Sequence, residues 1–134
     1  MAIIRQNKAR LYKDFDLSFT KNAITGDLNK KIDANAVKQA MYTLIQTQRY
    51  ERPFHPELGS DIMMQLFEPM TPFTAGSMER SIKTLFDNYE RRVKLHNVLV
   101  EPMFDRNEYT VKIYFEVVGI NEPQELELNL ERLR

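Results

Sequence analysis

Apolar residues recur along the first two thirds of the chain with a helical period and along the last third with a period of two. Val37, Met41, Leu44 and Ile45 fall at i, i+4, i+7 and i+8, one face of a helix that Asp33 can cap and that runs to about Thr47. Arg52-Pro53-Phe54-His55-Pro56-Glu57-Leu58-Gly59 must break it, because proline disfavours helical geometry in the residue before it and Gly59 permits a sharp turn. Ser60 or Asp61 then opens a short helix through Ile62, Met63, Leu66 and Phe67, stopped before Pro69. Thr71-Pro72 supplies a capping hydroxyl and a proline suited to the first helical position. The helix it starts carries Met78, Ile82, Leu85, Phe86 and Tyr89 on one stripe and ends near Tyr89.

After Arg92 the pattern changes. Val93 and Leu95, then Val98, Val100 and Pro102, lead to a turn at Asp105-Arg106-Asn107. Val111, Ile113, Phe115 and Val117 alternate with Lys112, Tyr114 and Glu116, a half-buried strand. Beyond the turn Gly119–Pro123, Leu126, Leu128 and Leu130 alternate with polar residues. Three strands joined by short connections predict an antiparallel meander with one face under the helices. The expected class is α+β, three helices on a small C-terminal sheet, in a single domain over 1–134. Residues 1–24 read as an extended arm with Leu11, Tyr12, Phe15, Leu17 and Phe19 as scattered anchors, 25–92 as mainly helical and 93–134 as the meander. Thr25-Gly26-Asp27 reads as a turn. Nothing within Leu126–Leu130 blunts the last strand edge, since neither proline nor lysine occurs there.

Composition narrows the function. At 134 residues, 43% hydrophobic and 28% charged, the chain is long enough to hold a core unaided. It has no cysteine, which excludes disulfide scaffolds, thiolate metal sites and cysteine nucleophiles and fits a reducing cytoplasm. No apolar run approaches membrane-spanning length and none resembles a signal peptide, so a soluble protein without a membrane partner is expected. Net charge is zero, without the dominant basic patch of a nucleic-acid binder. Charge is nevertheless uneven: Arg5, Lys8, Arg10 and Lys13 precede any acid, and Glu122, Glu125, Glu127 and Glu131 precede the last arginines. Both runs suit a solvated surface, or two faces that meet oppositely charged neighbours.

Candidate chemistry is sparse. His55 and His96 are the two histidines, and neither is spaced from other ligands as a metal site requires. No phosphate loop, dinucleotide fingerprint or nucleophile elbow occurs, so no cofactor is expected. Glu51, Glu57, Asp61, Glu68 and Glu90 are possible members of a glycosidase-type acid pair, but nineteen acids make chance pairs plentiful. Met63, Met64, Met70 and Met78 surround the Pro69–Pro72 loop, where thioethers suit an irregular core.

Several segments carry a resemblance. The Arg52–Asp61 stretch, with Gln65-Leu66-Phe67-Glu68-Pro69-Met70-Thr71-Pro72, Asn88-Tyr89-Glu90-Arg91-Arg92 and Leu11–Asp16, resembles the baseplate wedge protein family of T4-like contractile phages. That family includes the corresponding baseplate component of type VI secretion systems. The resemblance implies a structural, non-enzymatic subunit of the virion tail baseplate, present in sixfold copies and assembled in the host cytoplasm. Its implied partners are the other wedge proteins, through their core helical bundle, and the tail sheath protein. The family's Glu-Pro-Arg motif falls on Glu90, Arg91 and Arg92, with Arg91 in place of the proline. In the family this loop contacts the wedge core, so the three residues are expected there. Sheath subunits of such tails join by exchanging strands, so Leu126, Leu128 and Leu130 mark the edge expected to receive the sheath. Members are often labelled lysozymes, which leaves a peptidoglycan-degrading tail lysozyme as the alternative.

Overall fold

The structure, a computed structural model, describes residues 12–132. Its elements run β1 (Lys13–Phe15), β2 (Lys30–Ile32), α1 (Asp33–Gln46), α2 (Ile62–Gln65), α3 (Pro72–Tyr89), β3 (Val93–Met103), β4 (Glu108–Val117) and β5 (Pro123–Glu131). The C-terminal sheet has the order β3-β4-β5, both pairs antiparallel, so the expected α+β meander is present.

Alternation decides which side of that sheet is dry. Tyr109, Val111, Ile113, Phe115 and Val117 of β4 are fully buried, flanked by Val98 and Val100 of β3 and Leu128 and Leu130 of β5. The register places Val100, Val111 and Leu128 in one row and Val98, Ile113 and Leu126 in the next. A bulge between Leu95 and Asn97 inserts His96, which is why Leu95 and Val98 share a face although three residues apart. Against this face lies α3, and its Met78, Ile82, Leu85 and Phe86 share one buried core with Val37, Met41 and Ile45 of α1.

Helix boundaries follow local chemistry. The Thr71 side chain accepts the Thr74 N–H at 3.2 Å, with Pro72 at the first helical position, as its sequence predicts. The capping role expected of Asp33 is not what α1 uses. Ile32 occupies the N-cap without a side-chain bond, and Asp33 opens the helix at φ 49°, accepting the Tyr12 N–H on its carboxylate at 3.4 Å. Asp61, at the N-cap of α2, also makes no side-chain cap bond; the Ser60 hydroxyl accepts from Ile62 N–H at 3.4 Å. Of the methionines, Met78 is fully buried, Met63 and Met70 pack partly against the core, and Met64 is exposed.

Residues 12–33 depart most from the expected extended arm. They form an antiparallel ribbon in which Lys13, Asp14 and Phe15 pair with Ile32, Lys31 and Lys30. Its turn is closed by the Asn22 and Asp27 backbones at 2.7 Å. Gln39 of α1 fastens it, accepting the Leu17 N–H at 3.2 Å and donating to the Phe15 carbonyl at 2.7 Å. Charged residues hid this strand, because a ribbon wet on both faces has no hydrophobic alternation to read. Leu11 lies outside the described residues.

Candidate functional site: a charged helix end and a sheet edge

At the end of α3, Glu90 occupies the C-cap and the chain turns into β3. The Glu90 carboxylate is 8% exposed and accepts twice from Arg92, Nε to Oε1 and Nη2 to Oε2, each at 2.8 Å. This fork-to-carboxylate geometry is the strongest arrangement open to the two groups. The bonds to Glu90 push the Arg92 guanidinium above its already high usual range, against the opposing effect of partial burial. Its guanidinium carbon lies 5.7 Å from the centre of the Tyr12 ring, within cation–π range. Tyr12 is held in turn by its hydroxyl, which donates to the Val118 carbonyl at 2.8 Å, while Val118 N–H donates to the Arg92 carbonyl at 2.8 Å. The helix end, the start of β3, the end of β4 and the ribbon are thus tied at one corner. Arg91, between the paired residues, is exposed.

Of the three residues singled out here, Glu90 therefore faces inward and only Arg91 and part of Arg92 face solvent. Tyr12 and Val118 complete the corner. Neither was assigned to it by sequence, since their contacts span 106 residues.

The sheet has two outer edges, and they differ. On β3 the Val98 N–H donates to the Asn97 side chain at 2.9 Å and the Val100 N–H to Glu79 Oε1 at 3.0 Å. Side chains, one of them from α3, thus occupy two donors in the middle of that edge. On β5 the Arg132 N–H donates to the Asn107 carbonyl at 2.9 Å, continuing the β4–β5 register. Antiparallel alternation then directs the backbone groups of Leu130, Leu128 and Leu126 toward β4 and those of Glu131, Asn129, Glu127 and Glu125 outward. No side chain among the described residues accepts from these four N–H groups. Of the three leucines expected to receive a strand, Leu128 and Leu130 are core residues and Leu126 packs partly against the core, and the backbone groups of all three face β4. The open edge belongs to the exposed residues that alternate with them.

The remaining candidates are dispersed. Asp61 pairs with Arg49 at 3.6 Å, Glu57 with His55 at 3.5 Å, and Glu51 accepts the Gln48 N–H at 2.8 Å. His96 pairs with Glu116 at 3.3 Å. Among the described residues no group of three or more His, Asp or Glu is placed to hold a metal. No described helix is long and apolar enough to cross a membrane. A cleft of about 340 Å³ between ribbon, α1 and the 52–58 loop is lined by Asp14, Arg52, Leu58, Tyr89 and Glu90, with no ion pair between Arg52 and either carboxylate.

The fold is α+β, with the outer side of β5 unpaired among the described residues and an arginine-bearing corner at the end of α3. The family described as baseplate wedge protein gp25 matches residues 33–122. The baseplate wedge protein gp25 of Enterobacteria phage T4 is 36% identical over 121 residues, which is 90% of this chain and 89% of that protein. The chain belongs to the baseplate wedge protein gp25 family. Its fold is similar to that of a putative tail lysozyme from Geobacter sulfurreducens, with a TM-score of 0.68 and 21% identity over 73% of this chain and 89% of that one. It is also similar to a chain of the anti-feeding prophage baseplate, with a TM-score of 0.62 and 15% identity over 92% of this chain and 87% of that one.

Proposed function

We propose that this chain is a structural wedge subunit that joins the core of a contractile-tail baseplate to the first ring of the tail sheath. In this reading β5 is the edge to which the sheath protein adds a strand. The observation that carries it is the inequality of the two sheet edges: Asn97 and Glu79 occupy the donors of Val98 and Val100 on β3, whereas Glu125, Glu127, Asn129 and Glu131 leave theirs outward. Strand addition draws its affinity from such free main-chain groups. Arg91 and the outer N–H groups of Arg92 meet the wedge core, and Glu90 holds Arg92 in position for it.

A non-catalytic role is part of this reading. Both oxygens of Glu90, the most buried of the candidate acids, already accept from the Arg92 guanidinium, so this carboxylate is committed to an internal ion pair.

The test is Glu127→Pro in the intact chain. It removes one outward donor at an exposed edge position without touching the leucine face or the β4 ladder. Baseplates should form and sheaths should fail to nucleate on them; normal sheaths would reject β5 as the receiving edge. Clearing of bacterial cell walls by the purified chain would reject the non-catalytic reading.

A further inference from the structure

The 48–59 loop contains much of the family resemblance, yet neither the Glu90–Arg92 corner nor the β5 edge uses its apolar residues. It is tightly fixed. Tyr50 N–H donates to the Pro56 carbonyl at 2.9 Å, Leu58 N–H to the His55 carbonyl at 3.1 Å, and the Tyr89 hydroxyl to the Glu57 carbonyl at 2.6 Å. Gly59, at φ 126°, lets the loop close against the carbonyl of Gln48.

Within this fixed loop two residues stand out. Tyr50 and Phe54 have φ of 66° and 67°, a left-handed conformation that bulky L residues rarely adopt. They are also 83% and 97% exposed. Elsewhere positive φ falls on Asp33, Asn107 and Asn121, which tolerate it, and on Phe19 in the ribbon. A strained backbone that turns two aromatic rings into water gains nothing for the fold, and strain of this kind gathers at binding surfaces. Rigid aromatic anchors lose little entropy on binding and dominate interface energetics. Between them Arg52 is exposed and forms no ion pair among the described residues.

We propose that Tyr50 and Phe54 form a preset aromatic knob that inserts into an apolar pocket, rimmed by a carboxylate that meets Arg52, on another protein of the baseplate wedge. A protein pocket fits better than a glycan. Tyr and Arg are the residue types enriched at the energetic centres of protein interfaces, and the unpaired Arg52 beside the rings calls for a carboxylate on the partner. The proposal rests on the wedge reading but not on the sheath edge.

The experiment measures binding of the full chain to wedge complexes purified from particles made without it. Tyr50→Ala combined with Phe54→Ala should weaken binding at least tenfold with the melting temperature unchanged or raised, because no core contact is removed. Phe54→Gly should raise the melting temperature by relieving the left-handed residue and still weaken binding. A photo-reactive phenylalanine analogue at position 54 should cross-link to a wedge protein beside an acidic residue. Unchanged affinity in the double variant, or a cross-link confined to the sheath protein, overturns the proposal. So does a loss of binding to isolated peptidoglycan with wedge binding intact. If the wild-type chain itself fails to bind the wedge complex, the wedge reading falls with it. Failure of the Glu127→Pro test alone leaves the knob standing.

Discussion

Glu90 and Arg92, two residues apart, face each other through two parallel 2.8 Å hydrogen bonds, and Arg92 lies over Tyr12. The pair is internal, so it builds the corner that α3, β3 and the ribbon share before any partner arrives. Arg92→Lys keeps the charge but loses the fork. With a third of the Arg92 side chain exposed, the expected loss is about 1–2 kcal/mol, measured by urea unfolding. Arg91→Ala should leave stability unchanged and weaken binding to the wedge core alone, which separates the two arginines.

Gly59 tests the packing beneath the aromatic loop. A Cβ there would stand 2.7 Å from both the carbon and the oxygen of the Gln48 carbonyl, at a φ of 126°. Neither neighbour is a flexible side chain. Gly59→Ala should destabilise by more than about 1 kcal/mol and lower the melting temperature.

The β3 edge makes an opposite prediction from the β5 edge. Glu79→Ala should release the Val100 N–H at a cost of about 1–2 kcal/mol. It should also raise self-association in light scattering, because an unguarded edge invites pairing. Unchanged stability and unchanged scattering would show that Glu79 does not guard this edge.

Tyr109 carries a hydroxyl in the core with no hydrogen-bond partner among the described residues. Tyr109→Phe should therefore lie within about 1 kcal/mol of the parent or exceed it at neutral pH. Burial pushes the Tyr109 phenol up, so its neutral form is favoured in the folded state. That contribution is whole below the usual tyrosine value of about 10 and is lost as pH rises toward the raised folded value. The phenylalanine variant should accordingly lose less stability than the parent in alkaline unfolding curves.

The legible parts of this protein are those whose determinants are local or periodic. The stripe Met78–Ile82–Leu85–Phe86 and the cap at Thr71 fix α3, and the alternation from Val111 to Val117 fixes the central strand. Each rests on spacing within a few residues, where backbone geometry alone relates position to face. The apolar pattern also shifts from Leu95 to Val98, and only strand pairing identifies that shift as a bulge. The ribbon at Lys13–Phe15 was not legible, because its strands bury little and its partner lies seventeen residues on.

At the candidate site the division is finer. The sequence by itself determined that Glu90, Arg91 and Arg92 follow a helix, and that leucines alternate along the last strand. Only the tertiary structure decided that Glu90 turns inward, that Arg92 meets Tyr12, and that Glu79 accepts a donor of β3 while the outer side of β5 has no partner among the described residues. Those outcomes depend on hydrogen bonds between groups far apart in the chain, and the direction of a backbone N–H follows from strand pairing. A sequence prescribes which side chains prefer water. Which main-chain groups are left without a partner is settled when the strands and helices pack.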